Sequence, residues 1–125
     1  MSERRALVVG LGSIGRRHRD VLTDLGLDVA TLSRRDGGAD LASAVGRVRP
    51  DHVVLAREAA RHAADLRELA AAGFMGTVVV EKPLAVRPDE LDGLMGAPFR
   101  SCAVGYQLRL HPAVRAVRAA IAGDR

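Results

Sequence analysis

Three apolar runs without polar alternation constrain this chain's fold more than any other feature: Ala6-Leu7-Val8-Val9, Val53-Val54-Leu55 and Val78-Val79-Val80. A strand wetted on one face alternates apolar and polar residues, whereas a strand apolar throughout is buried on both faces, as in a parallel sheet between helices. Strands are predicted at 5–10 (RALVVG), 28–33 (DVATLS), 51–56 (DHVVLA), 77–81 and 101–106 (SCAVGY). Helical spacing falls between them, at 13–25 with Ile14, Val21, Leu22 and Leu25 on one face, at 39–45, and in an alanine-rich stretch at about 58–72. A weaker helix is expected at 89–95, and Pro112 opens a last one with Val114, Val117 and Ile121 aligned. The alternation predicts one doubly wound α/β domain over residues 1–125, a Rossmann-type parallel sheet with helices on both faces. Right-handed crossovers favour strand order 3-2-1-4-5, with ligands at the carboxyl ends of the strands where the order reverses.

Composition narrows the partners. Hydrophobic residues make up 48% of the 125, yet Trp is absent and there are only one Tyr and two Phe, so the core is built from Ala, Val and Leu and little remains for stacking bases. The net charge of +4 comes from arginines interleaved with Asp and Glu, without a helix-turn-helix, zinc or RNA-recognition signature. No nucleic-acid partner is expected. Neither a charged-then-apolar leader nor an apolar run of membrane-spanning length occurs, and the single cysteine, Cys102, excludes an intramolecular disulfide. These features predict a soluble protein of a reducing compartment, the cytoplasm, with no membrane partner.

At the end of the first predicted strand stands Gly10-Leu11-Gly12-Ser13-Ile14-Gly15, the GxGxxG spacing, at the start of an amphipathic helix. The context gives the spacing its meaning. Gly10 permits a tight turn, Gly12 lets a pyrophosphate approach the backbone, and Gly15 lets helix and strand pack closely. The free N–H groups at the helix start, around Ser13 and Ile14, face the anion. The residue that reads the adenosine ribose is expected at the end of the second strand, where Ser33-Arg34-Arg35 stands. A carboxylate there would accept from the 2′-hydroxyl of NAD, whereas hydroxyl and guanidinium groups suit the 2′-phosphate of NADP. NADP is favoured over NAD, although Asp36 is near enough to supply the acid.

Lys82 is the only lysine beside eighteen arginines, so its position calls for something other than positive charge. It lies at the carboxyl end of the fourth predicted strand, where Pro83 biases it towards extended backbone. An ammonium donates hydrogen bonds and, unlike a guanidinium, can exchange its proton. Lys82 is therefore the catalytic candidate, set against the plainer alternative of a strand-end lysine in water. His62, within the alanine-rich helix, and His111, after the fifth strand, read as structural. Asp89, Glu90 and Asp92 read as a solvated helix face, and no metal-ligand spacing occurs.

Four segments together resemble a known family: GLGSIGRRH at 10–18, PDHVVLA at 50–56 with His62 beyond, VVVEKPLA at 78–85, and AVGYQLRLHPAV at 103–114 are similar to the N-terminal domain of the Gfo/Idh/MocA oxidoreductases. The resemblance implies hydride transfer with NADP or NAD on sugars, cyclitols and related polyols. It implies that Glu81-Lys82-Pro83 lies by the cofactor, with Lys82 near the nicotinamide and the reacting carbon, a cis bond before Pro83, and Arg109 near the cofactor. Two departures stand out. Ala56-Arg57-Glu58-Ala59-Ala60 replaces the Pro-containing turn common after the third strand, and the substrate domain that usually follows is expected to be absent. Catalysis would then need a further domain, a separate subunit or a homodimer; the alternative is a stand-alone, non-catalytic nucleotide-binding or scaffold module.

Overall fold

The three apolar runs form the middle of the sheet. The computed structural model of the chain describes residues 4–33 and 40–123. Five strands, β1 (Arg5–Val9), β2 (Asp28–Leu32), β3 (His52–Leu55), β4 (Thr77–Glu81) and β5 (Ser101–Gly105), alternate with helices α1 (Ser13–Asp24), α2 (Leu41–Val48) and α3 (Ala59–Ala71), and α4 (Pro112–Gly123) follows β5. All pairings are parallel, in the order β2-β1-β3-β4-β5.

That order corrects the expected 3-2-1-4-5: β3 lies on the far side of β1, between β1 and β4, instead of beyond β2. The composition of the strands supplies the reason. In the expected order β2, with Asp28 and Thr31, would be interior and the apolar β3 an edge. In the observed order the apolar β1, β3 and β4 each have two neighbours, and the more polar β2 and β5 form the edges. The switch point accordingly lies between β1 and β3.

Strand alternation divides the core. Leu7 and Val9, Val53 and Leu55, and Val78 and Val80 pack with Leu41, Ala44 and Val45 of α2 and with Leu66 and Leu69 of α3. On the other face a smaller cluster of Val8, Val54 and Ala56 meets Ile14 and Leu22 of α1. Both α1 and α3 end on a glycine with positive φ, Gly26 and Gly73, followed by a bond from the next N–H back to Leu22 and Leu69 respectively. This is the Schellman stop, which only a residue without Cβ adopts at little cost.

Elsewhere the elements depart from expectation. Instead of ending at 45, α2 runs through Gly46 to Val48 and stops at Arg49, whose φ is 52°, ahead of Pro50; Asp40 caps its start through Ser43 N–H at 2.7 Å. The helix expected at 89–95 is two short 3-10 turns, Pro88–Leu91 and Leu94–Gly96, separated at Gly93 with φ 81°. In α4 the aligned Val114, Val117 and Ile121 are exposed, Val117 by 59%, so no described residue covers that stripe.

Close packing fixes α1 on the sheet. A Cβ at Gly15 would stand 1.9 Å from the Gly10 carbonyl oxygen, far inside van der Waals contact. Gly15→Ala is expected to cost about 3 kcal/mol through forced separation of α1 from β1. Leu7→Ala, in the middle of the larger cluster, is expected to cost about 2–5 kcal/mol. Urea unfolding followed by circular dichroism measures both; a change below about 1 kcal/mol in either would contradict this packing.

Candidate functional site

The carboxyl ends of β1 and β3 are held flush by Val9 opposite Leu55, and the ladders continue through Gly10 N–H to Leu32 O and Ala56 N–H to Val9 O, both 2.8 Å. Gly10, with φ 98°, turns the chain so tightly against the β3 end that a Cβ there would meet the Ala56 carbonyl at 2.9 Å and the Arg57 nitrogen at 3.0 Å. Gly12 is the N-cap of α1 and has no side chain to close the helix end, and a Cβ there would have nothing within 4 Å. The first turn, with Ser13 exposed and Ile14 packed into the smaller core cluster, holds no acidic residue. Arg16 donates from Nε to Leu11 O at 3.1 Å and so steadies the turn from its own helix. The helix N-terminus therefore offers N–H groups and the positive end of its dipole to open space, which is the fit an anion such as a pyrophosphate requires.

A second wall comes from the end of β4. Lys82 is exposed, its ammonium has no hydrogen bond or ion pair among the described residues, and the Lys82–Pro83 bond is cis. Glu81, only 8% exposed, turns inward: its Oε1 accepts from His18 Nε2 of α1 at 2.7 Å. Gly105 of β5 lies close beside it, and a Cβ there would approach Glu81 Oε1 to 3.1 Å.

His62 of α3 is 1% exposed and lies between the two walls, with Nδ1 2.8 Å from Pro83 O and Nε2 2.7 Å from Arg57 O. One turn further along α3, Asp65 is also buried; its Oδ1 is 3.5 Å from Arg57 Nη1, and its Oδ2 has no hydrogen-bond partner. Burial pushes the Asp65 carboxyl up from its ordinary value, and the neighbouring Arg57 guanidinium pulls the other way.

The structure thus brings Gly10, Gly12, Ser13, Ile14, Gly15, Glu81, Lys82 and Pro83 to the carboxyl end of the sheet. Ser33 follows β2 at the same end, half-buried, whereas Arg34 and Arg35 lie outside the described residues. Arg109 sits exposed in a 3-10 turn, Gln107–Leu110, after β5. His111 accepts the Ala113 N–H at Nδ1, and Glu90 accepts the N–H groups of Val86 and Arg87, both local structural roles. Sequence reasoning overlooked His18, Asp65 and the placement of Arg57. The signal for His18 was its position three residues after Gly15, on the helix face turned to the sheet, where a polar side chain needs a partner. For Asp65 it was the same: a carboxylate between Ala63 and Leu66 in a buried stripe.

A depression of about 1080 Å³ opens at the opposite, amino end of the strands, among Arg4, Arg49, Asp51, Phe74 and Arg100. It is remote from the glycine turn and shares no residue with it. Among the described residues no group of three His, Cys, Asp or Glu side chains could hold a metal ion, and no helix is long and apolar enough to cross a membrane.

No protein-family model and no curated protein matches the chain. Solved structures do. UDP-N-acetylglucosamine 3-dehydrogenase GnnA from Acidithiobacillus ferrooxidans superposes with a TM-score of 0.72 at 23% identity, over 96% of this chain and 44% of that one. Myo-inositol 2-dehydrogenase from Lactobacillus plantarum gives 0.74 at 17%, over 98% and 42%. Scyllo-inositol dehydrogenase from Lactobacillus casei, solved with NAD(H) and scyllo-inositol, gives 0.72 at 15%, again over 98% and 42%. The chain spans less than half the length of each of these structures. These are dehydrogenases of the kind to which the sequence resemblance points, and the shared fold is the Rossmann-like α/β fold described above.

Proposed function

We propose that this chain is the dinucleotide-binding unit of a nicotinamide-dependent oxidoreductase of the Gfo/Idh/MocA family, acting by hydride transfer on a sugar, cyclitol or related polyol derivative. The observation that carries the reading is the glycine turn at the β1/β3 switch point: an uncapped helix N-terminus, with open space where a Cβ at Gly12 would stand. The similar structures support it, since one was solved with NAD(H) and a cyclitol.

In this reading the backbone N–H groups from Gly12 to Gly15 hold the pyrophosphate, and Gly10 gives the turn its closeness to β3. Ser33, which follows β2, and the next two residues in the sequence, Arg34 and Arg35, favour a 2′-phosphate, hence NADP over NAD. A bound nicotinamide supplies the hydride acceptor or donor. The Lys82 ammonium donates a hydrogen bond to the substrate oxygen, polarising its bond to the reacting carbon, and Arg109 lies at the cofactor's edge. Glu81 serves by fixing the β4 end against α1 through His18. With Glu81 and His62 both committed to inward partners, the group that takes the substrate's proton comes from a further domain, a partner subunit or a second copy.

Isothermal calorimetry on the folded chain tests the reading. NADPH and NADH are both expected to bind, NADPH more tightly. Gly12→Ala should weaken binding at least tenfold, about 1.4 kcal/mol, with the fold retained, because its methyl enters the pyrophosphate's place and touches no protein atom. Lys82→Ala should keep most of the affinity, since its ammonium serves the substrate. Absence of binding by either cofactor at millimolar concentration, or unchanged affinity in Gly12→Ala, would sink the dinucleotide assignment; tighter NADH binding would sink the preference for NADP.

A further inference from the structure

We propose that His62 is a positioning residue: a buried imidazolium whose two N–H groups fix the turn bearing Lys82 against the turn that packs on Gly10. The functional meaning of that tie rests on the reading of Lys82 above; the tie itself does not.

The geometry leaves few alternatives. Backbone carbonyl oxygens only accept hydrogen bonds, and one stands 2.8 Å from Nδ1 (Pro83) and the other 2.7 Å from Nε2 (Arg57). A neutral imidazole has one N–H, so its second nitrogen would direct a lone pair at a carbonyl lone pair at hydrogen-bond distance. That contact would be repulsive, and at 1% exposure water could not relieve it. An imidazolium satisfies both carbonyls at once.

A buried cation needs compensation, and the charged groups around His62 can be named. Asp65 lies one turn along the same helix, buried, with an oxygen that has no hydrogen-bond partner. Arg57 faces Asp65 from the turn after β3, and Arg61 and Glu68 of α3 also act on that carboxylate. From the turn after β4 the neighbouring charge is Lys82 itself. Asp65 thus faces Arg57 directly, and a positive charge on His62, one turn away, also favours its ionised form.

The consequence is mechanical. Arg57 is the residue whose nitrogen would stand 3.0 Å from a Cβ on Gly10, so one end of the tie rests on the glycine turn. The other end holds Pro83, whose neighbour is Lys82. His62 thereby sets the distance between the anion-binding end of the crevice and its lysine.

Two nuclear magnetic resonance measurements, both made without cofactor, test this. Protein labelled with ¹⁵N in histidine reports the His62 ring, assigned by its loss in His62→Gln; both ring nitrogens are expected to carry protons at neutral pH. Protein labelled with ¹⁵N in lysine gives one backbone amide signal, because Lys82 is the only lysine. That signal is expected to move or be lost in His62→Gln, whose single amide nitrogen replaces two separate ring nitrogens. Finding one ring nitrogen unprotonated in the wild-type protein would overturn the proposal, whether or not the variant folds. So would an unmoved Lys82 signal in a folded His62→Gln. Because neither readout needs a dinucleotide, failure of cofactor binding and failure of the tie are separate results.

Discussion

The contact between the glycine turn and the end of β3 is the constraint on which the site depends. Gly10 approaches Ala56 and Arg57 so closely that no side chain fits, and Gly15 brings α1 onto the Gly10 carbonyl in the same way. The first of these contacts needs β3 beside β1. Were β3 beyond β2, as the expected strand order has it, the turn after β1 would face β4 and Arg57 would be two strands away. The β2-β1-β3-β4-β5 order therefore determines which loop walls the crevice, in addition to which strand is an edge.

The strands were legible because β-branched and leucine-rich runs between glycines and prolines have one common reading, and the parallel class followed from their lack of alternation. Their order was less legible, since pairing is non-local and crossover handedness alone permits more than one arrangement. The ranking of strands by polarity was the missed clue: Asp28 and Thr31 mark β2 as an edge. Local rules failed where backbone conformation rather than composition decided. A left-handed Arg49 ended α2 at 48 instead of the expected 45, and Gly93 divided the stretch expected as a helix. Of the site, the glycine turn and the Glu-Lys-Pro segment were readable as residues in a row. The pairs His18 with Glu81 and His62 with Pro83 were not, because their members are 63 and 21 residues apart.

Helix α4 shows the limit of periodicity from the other side. Its stripe of Val114, Val117 and Ile121 has the spacing of a core-facing helix, yet the described fold buries none of it. An apolar stripe states that a helix can bury a face; it does not state against what. The smaller core cluster on the α1 side is consistent with this, as α1 is the helix that covers it.

Electrostatics at the carboxyl end of the sheet follows from how its acids are used. Two carboxylates at this end are turned into the protein, Glu81 towards His18 and Asp65 towards Arg57, while Glu58, in the turn after β3, is exposed beside Arg61. Among the described residues that face outward here are the α1 N-terminus, with no acid in its first turn, and Lys82. The chain's overall charge, by contrast, comes from arginines interleaved with Asp and Glu. Inward pairing also keeps these two carboxylates from repelling an anion at the helix end. The buried pairs and the open helix end are thus two parts of one arrangement: the acids hold the walls in place, and their inward turn keeps them away from the uncapped α1 N-terminus.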